Sequence, residues 1–173
     1  MSNANQSNQN RSNENQVKYV PAGTGPAYCG PGDRITFLIT GAETGGAFFL
    51  GEASVAPGGG PPPHVHSREE ESFYLLQGTL ALQVGGKTLN ASAGDFIYIP
   101  RGTVHSFKNV GEETARMLTL AAPAGLENFF AEAFFPAVDV SDMPQISEAL
   151  IGRVVKAAPK YGLELLLPAG ARH

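Results

Sequence analysis

The chain has 173 residues, the length of one ordinary domain and enough to bury a core. Its net charge is −4 and its pI near 5.5, with no basic run or stripe, which excludes a phosphate-binding surface and nucleic acid as an expected partner. No apolar run approaches the ~20 residues that span a bilayer, no apolar leader core opens the chain, and the single cysteine, Cys29, excludes an internal disulfide or a CxxC metal clip, so a cytoplasmic protein off the membrane is expected.

Residues 1–16 are rich in Asn, Gln and Ser, lack the apolar side chains that would offset ordering, and are expected to form a disordered polar tail. Residues 17–123 read as strands and turns. Arg34–Thr40 and Ala47–Val55 are β-rich runs stopped by glycine or Pro57-Gly58-Gly59-Gly60. Ser72–Gly78 leads into Thr79–Val84, and Gly85-Gly86 then turns the chain into Lys87–Asn90, a hairpin signal. Asp95–Pro100, Val104–Asn109 and Ala115–Leu120 follow. Strands recur about every 10 residues, and the many glycines and prolines supply the turns, as in an all-β sandwich or barrel. Cys29, in Tyr28-Cys29-Gly30-Pro31-Gly32, reads as a small semi-buried residue beside a turn rather than a nucleophile.

Residues 124–173 change character. Leu126–Phe135 places Leu126, Phe130 and Phe134 four apart, predicting a helix packed on the barrel and ended by Pro136. Pro144–Ala157 predicts a second helix with proline in its first turn. Tyr161–Pro168 reads as extended.

Apart from His173, the histidines fall in two clusters, Gly58–Gly78 with His64 and His66, and Gly94–Asn109 with His105. One residue separates His64 from His66, so on a strand both imidazoles share a face. Two imidazoles aimed into a barrel make a poor apolar core and a good pair of metal ligands. A carboxylate from among Glu69, Glu70 and Glu71, and His105 from a later strand, would complete the set, a donor mix suited to first-row transition metals. Unbroken alternation from His66 selects Glu70. A turn at Ser67-Arg68-Glu69 resets the parity and selects Glu71, whose same-face partners Phe73 and Leu75 suit a barrel interior. Glu71 is favoured, with Glu70 as the alternative.

The two clusters resemble the paired motifs of the cupin superfamily. Gly58, His64, His66, Glu71 and Gly78 fit the first, and Gly94, Pro100, Gly102, His105 and Asn109 fit the second. The Glu71–Gly78 span supports Glu71 over Glu70. The resemblance covers residues 35 to 120. It implies a double-stranded β-helix, or jelly-roll barrel, with C-terminal helices packed on it, and one divalent ion (iron, manganese, nickel, cobalt, copper or zinc) held by His64, His66, Glu71 and His105. The segments around Pro62–Tyr74 and Tyr161–Glu164 are similar to bacterial single-barrel cupins related to quercetin 2,3-dioxygenase. This implies oxidative opening of a flavonol-like or other enol or phenol substrate, with Glu71 as general base and Phe48, Phe73, Ile99 and Phe107 as apolar pocket walls. A cupin isomerase and a non-enzymatic module binding a small molecule are the alternatives. Arg101 reads as a solvated loop charge. The resemblance also implies a homodimer, with residues 129–135 contributing.

Overall fold

The computed structural model describes residues 17–139 and 146–167, so the expected tail at 1–16 lies outside the described residues. Twelve strands are described: β1 (Ala27–Cys29), β2 (Asp33–Ile39), β3 (Phe49–Val55), β4 (His64–His66), β5 (Glu70–Gln77), β6 (Thr79–Val84), β7 (Lys87–Ser92), β8 (Phe96–Ile99), β9 (His105–Asn109), β10 (Ala115–Ala122), β11 (Phe135–Pro136) and β12 (Leu163–Leu165). They form two antiparallel sheets, ordered β11-β1-β2-β3-β10-β5-β8 and β12-β4-β9-β6-β7. This is the jelly roll that the strand spacing and motifs predict. No described helix is long and apolar enough to cross a membrane.

Alternation along the strands decides what faces inward. On β3, Phe49, Gly51, Ala53 and Val55 are buried while Leu50, Glu52 and Ser54 are only partly so. Its register partner β10 does the same with Ala115, Met117, Thr119 and Ala121. Gly85 (φ 55°) and Gly86 (φ 81°) form the turn between β6 and β7 in the left-handed conformations that match hairpin twist. The interior is aromatic, with Phe37 edge-on to Phe49 at 5.1 Å and Phe73 edge-on to Phe107 at 5.5 Å.

The helices differ from expectation at their ends. A short helix α1 (Gly41–Thr44), not anticipated, joins β2 to β3. α2 (Leu126–Ala133) stops before Phe135 because Phe135 and Pro136 pair with Cys29 and Tyr28 of β1. α3 (Glu148–Ala157) begins at a Ser147 cap, whose Oγ accepts from the Leu150 N–H at 3.2 Å, while Pro144 lies outside the described residues. Arg153 of α3 ties the two helices together. Its guanidinium donates to the carbonyls of Glu132 (2.6 Å), Ala133 (3.1 Å) and Phe134 (3.1 Å), the free acceptors that α2 leaves at its C-terminus.

A 3₁₀ turn (Ala158–Tyr161) and Gly162 then bring the chain back as β12, with Leu163 opposite His66 and Leu165 opposite His64. Gly162 has φ 77°, and a Cβ there would stand 2.6 Å from Ser67 Oγ. Gly162→Ala is therefore expected to cost about 1–2 kcal/mol, read as a melting midpoint lower by several degrees. An unchanged midpoint would show that this turn is not strained.

Candidate metal centre

β4 and β9 are neighbours, and His64 is paired directly with His105. His66 lies two residues further along β4, on the same buried face, with Val65 turned the other way. Glu71 comes from β5 in the opposite sheet. All four side chains are buried, and one donor atom from each lies within 4.8 Å of the others.

The parity break between β4 and β5 is visible as a bend at Ser67 and Arg68, where both the Ser67 N–H and its Oγ donate to the Gly162 carbonyl at 2.9 Å. It turns Glu71 inward and Glu70 outward, where Glu70 accepts from the Tyr98 hydroxyl at 2.6 Å. The alternative carboxylate, Glu70, is thereby removed from the cluster.

The donor set fits a cation. His64 Nδ1 is 2.9 Å from the Pro62 carbonyl, and His105 Nδ1 is 2.9 Å from the Thr103 carbonyl. A carbonyl only accepts, so each Nδ1 carries the hydrogen and each Nε2 is left with a lone pair. His105 Nε2 then faces Glu71 Oε2 at 3.1 Å, two acceptors in contact unless something positive lies between them. Both ring nitrogens of His66 are enclosed without a hydrogen-bond partner, with Nε2 3.5 Å from the same Glu71 oxygen. These separations are close to the ~3.0–3.4 Å between neighbouring ligand atoms around an ion with ~2.1 Å bonds.

Electrostatics run the same way. Burial, reinforced by the neighbouring His105, pushes His64 down to about 4, so its imidazole is neutral at pH 7. Burial alone would raise the Glu71 carboxyl, but the His105 ring 3.1 Å away and the nearby His66 and His64 rings outweigh it and leave it below the ordinary carboxylate value. Burial depresses His66, yet Glu69 and Glu71 overcome that and raise it.

Glu69 was not singled out from the sequence as an inward group separate from the ligand. It is only 2% exposed, and its Oε2 lies 3.7 Å from His66 Nδ1 on the side away from Glu71, too long for a hydrogen bond but close enough to orient the ring. The run Glu69-Glu70-Glu71 carried the signal, because a bend before it lets the first and third glutamates turn inward together. Glu69→Gln is expected to weaken metal retention about tenfold in competition with a chelator; equal retention would make Glu69 a bystander.

A cavity of about 120 Å³ opens from the cluster into the barrel. Phe73 and Phe107 line it as expected, whereas Ile99 is core and Phe48 sits at the α1–β3 turn, its carbonyl accepting from Thr44 Oγ at 2.7 Å. Phe129, Phe130 and Phe134 of the α2 segment, Val154 of α3 and Leu165 of β12 also line it. Phe129 and Phe134 are therefore spent on the interior, and of the aromatic segment expected at a subunit contact only Phe135 is well exposed, beneath the Arg153 guanidinium. Arg101 is exposed in its turn, as expected.

A family model described as "Cupin domain" matches residues 51–121. The polyketide synthase protein CurC of Streptomyces cyaneus is 34% identical over 118 residues, covering 66% of this chain and 75% of that protein. Quercetin 2,3-dioxygenase of Bacillus subtilis is 29% identical over 100 residues, covering 57% of this chain but only 29% of that protein. Among solved structures, the polyketide cyclase RemF from Streptomyces resistomycificus superposes with a TM-score of 0.56 at 28% identity, covering 78% of this chain and 90% of that one.

Proposed function

The chain belongs to the cupin family, and for a cupin with this site we propose a metal-dependent enzyme that acts on an enolisable or phenolic aromatic molecule. In this reading His64, His66, His105 and Glu71 hold one divalent transition-metal ion. The observation that carries the proposal is the junction of a three-histidine, one-carboxylate cluster with a cavity walled by aromatic rings.

A bound ion would supply Lewis-acid polarisation of a substrate oxygen. The protein does the rest. Pro62 and Thr103 fix the tautomers of His64 and His105, so their Nε2 atoms stay available. Glu71 Oε2, kept ionised by the surrounding imidazoles, accepts the substrate's hydroxyl proton. Phe73 and Phe107 flank a planar ring and exclude water.

The specific reaction proposed is oxygen-dependent ring opening of a flavonol-like or related substrate, as the name of the Bacillus relative suggests. A second reading, closure or aromatisation of a polyketide, is favoured by the greater share of their own lengths over which CurC and RemF align. Both begin with loss of an enol or phenol proton. Metal-loaded protein given quercetin anaerobically and then oxygen separates them: oxygen uptake with release of carbon monoxide supports ring opening. Conversion of a poly-β-keto aromatic precursor without oxygen uptake supports the second. Stable metal occupancy with turnover of neither class would instead make the protein a binding module.

A homodimer belongs to the same proposal. β8 is the edge strand of its sheet, and Tyr74, Phe96 and Tyr98 are exposed on the outer face it shares with β5, a surface that a second copy can cover. Phe96→Glu is expected to halve the mass seen by light scattering; a wild-type monomer removes the dimer.

A further inference from the structure

We propose that Asp33 is a second polar anchor of the cavity, one that accepts a hydrogen bond from a hydroxyl group of a bound aromatic molecule at the end remote from His64, His66, His105 and Glu71.

Asp33 opens β2 and lines the same cavity as the cluster. The sheet register separates the two. Asp33 pairs with Val55, six residues along β3 from Phe49, and Phe49 is joined through Ala121 of β10 to Glu71. Between the two poles the lining is mostly apolar, supplied by Ile35, Ala53, Phe107, Met117 and Phe129, with the Thr119 side chain of β10 among them.

The fold uses the Asp33 carboxylate only in part: the residue's own backbone N–H bonds it, and one oxygen is left over. Its Oδ1 is enclosed and makes no hydrogen bond. It lies against Gly30, where a Cβ would come within 2.5 Å of it and within 2.3 Å of the Phe134 ring, so the ring and the carboxylate close over the same side of Gly30. The adjacent Arg34 sends its Nη1 to Thr36 Oγ1 at 2.8 Å. Among the described residues no lysine, arginine or histidine is paired with Asp33. Burial, only partly offset by the residue's own backbone N–H, pushes its pKa up to about 6, so near neutral pH it is ionised and its Oδ1 is an acceptor without a donor. An enclosed carboxylate oxygen without a donor destabilises a fold, and an apolar side chain would pack there at less cost. A ligand hydroxyl supplies what is missing. A molecule that satisfies both poles is flat and aromatic, with an enol or phenol oxygen at the cluster and a hydroxyl donor at the far end.

The near end of this description rests on the function proposed above, whereas the test of Asp33 does not, because it uses metal-free protein. Met117 lines the cavity, so its ¹³C-labelled methyl group reports entry. Titration with p-cresol and with toluene, which differ by one hydroxyl, is expected to show p-cresol binding about tenfold tighter. Asp33→Leu should abolish that preference while binding toluene at least as well, and Asp33→Asn should keep part of it. Both variants should melt at or above the parent temperature at pH 8. The proposal is overturned if Asp33→Leu keeps the preference, if neither probe shifts Met117, if benzylamine binds far tighter than p-cresol, or if Asp33→Leu melts several degrees lower. A failed oxygen-uptake assay would sink the dioxygenase reading and leave this result intact.

Discussion

Glu71→Gln is expected to lower turnover by about 10²–10⁴-fold, the range for losing a positioned general base. Glutamine keeps the length of the side chain and can still offer an oxygen, but it cannot take a proton. The tautomers of His64 and His105 are untouched, since Pro62 and Thr103, not Glu71, set them. The comparison belongs at saturating metal with ion content measured alongside, so that weakened binding is not mistaken for lost chemistry. His105→Ala is the contrasting variant. It removes both the direct partner of His64 across the strands and the group 3.1 Å from Glu71, and it should retain less than a tenth of the parent's metal after dialysis. If Glu71→Gln turns over substrate at the parent rate with the same ion content, Glu71 is not the base.

The second large effect is on stability and depends on pH. The Asp33 carboxyl titrates at about 6 in the folded chain against 3.8 for the ordinary group. Its folded value is raised, so its favourable contribution is fully present below 3.8 and is lost as pH rises through 6. By pH 7 the loss is about 3 kcal/mol, at ~1.4 kcal/mol for each pH unit of displacement. Asp33→Asn has no proton to lose there. In metal-free protein it should be more stable than the parent by up to about 3 kcal/mol at pH 7, with the gain vanishing near pH 4. His64 acts in the opposite sense. Its value is depressed to about 4, so its contribution is present above 6.5 and lost as pH falls through 4. Because His64 is common to both proteins, it cancels in the difference. Urea unfolding at pH 4, 5.5 and 7 measures that difference, and a gain that stayed constant with pH would show that the carboxyl is not the cause.

Much of this was legible in the sequence because alternation and turn chemistry are local. Gly85-Gly86, the His64–His66 spacing and the apolar set that follows Glu71 each report on a few neighbouring residues, and each landed where the pattern put it. What escaped notice depends on partners far along the chain. The end of α2 is set by β1, about a hundred residues earlier, which claims Phe135 and Pro136. Glu69, one of the three candidate carboxylates, faces inward only because of the bend at Ser67, held by the Gly162 carbonyl, which alternation from His66 does not show. Asp33 looks like an ordinary turn residue after Gly32, and its enclosure exists only once Phe134 covers Gly30. Ile99 and Phe48 were reasonable pocket walls by residue type, but type does not say which side of a wall a ring occupies.

β4 is held on one flank by β9 and on the other by β12, a strand almost one hundred residues further on. The segment bearing His64 and His66 therefore lacks one neighbour until synthesis has passed Leu165. Translation stalled after α3 would leave the histidine strand with a raw edge and the hollow beside it open to water. An ion held by His64 and His66 would then sit on a strand flanked on both sides only after the last described strand has docked.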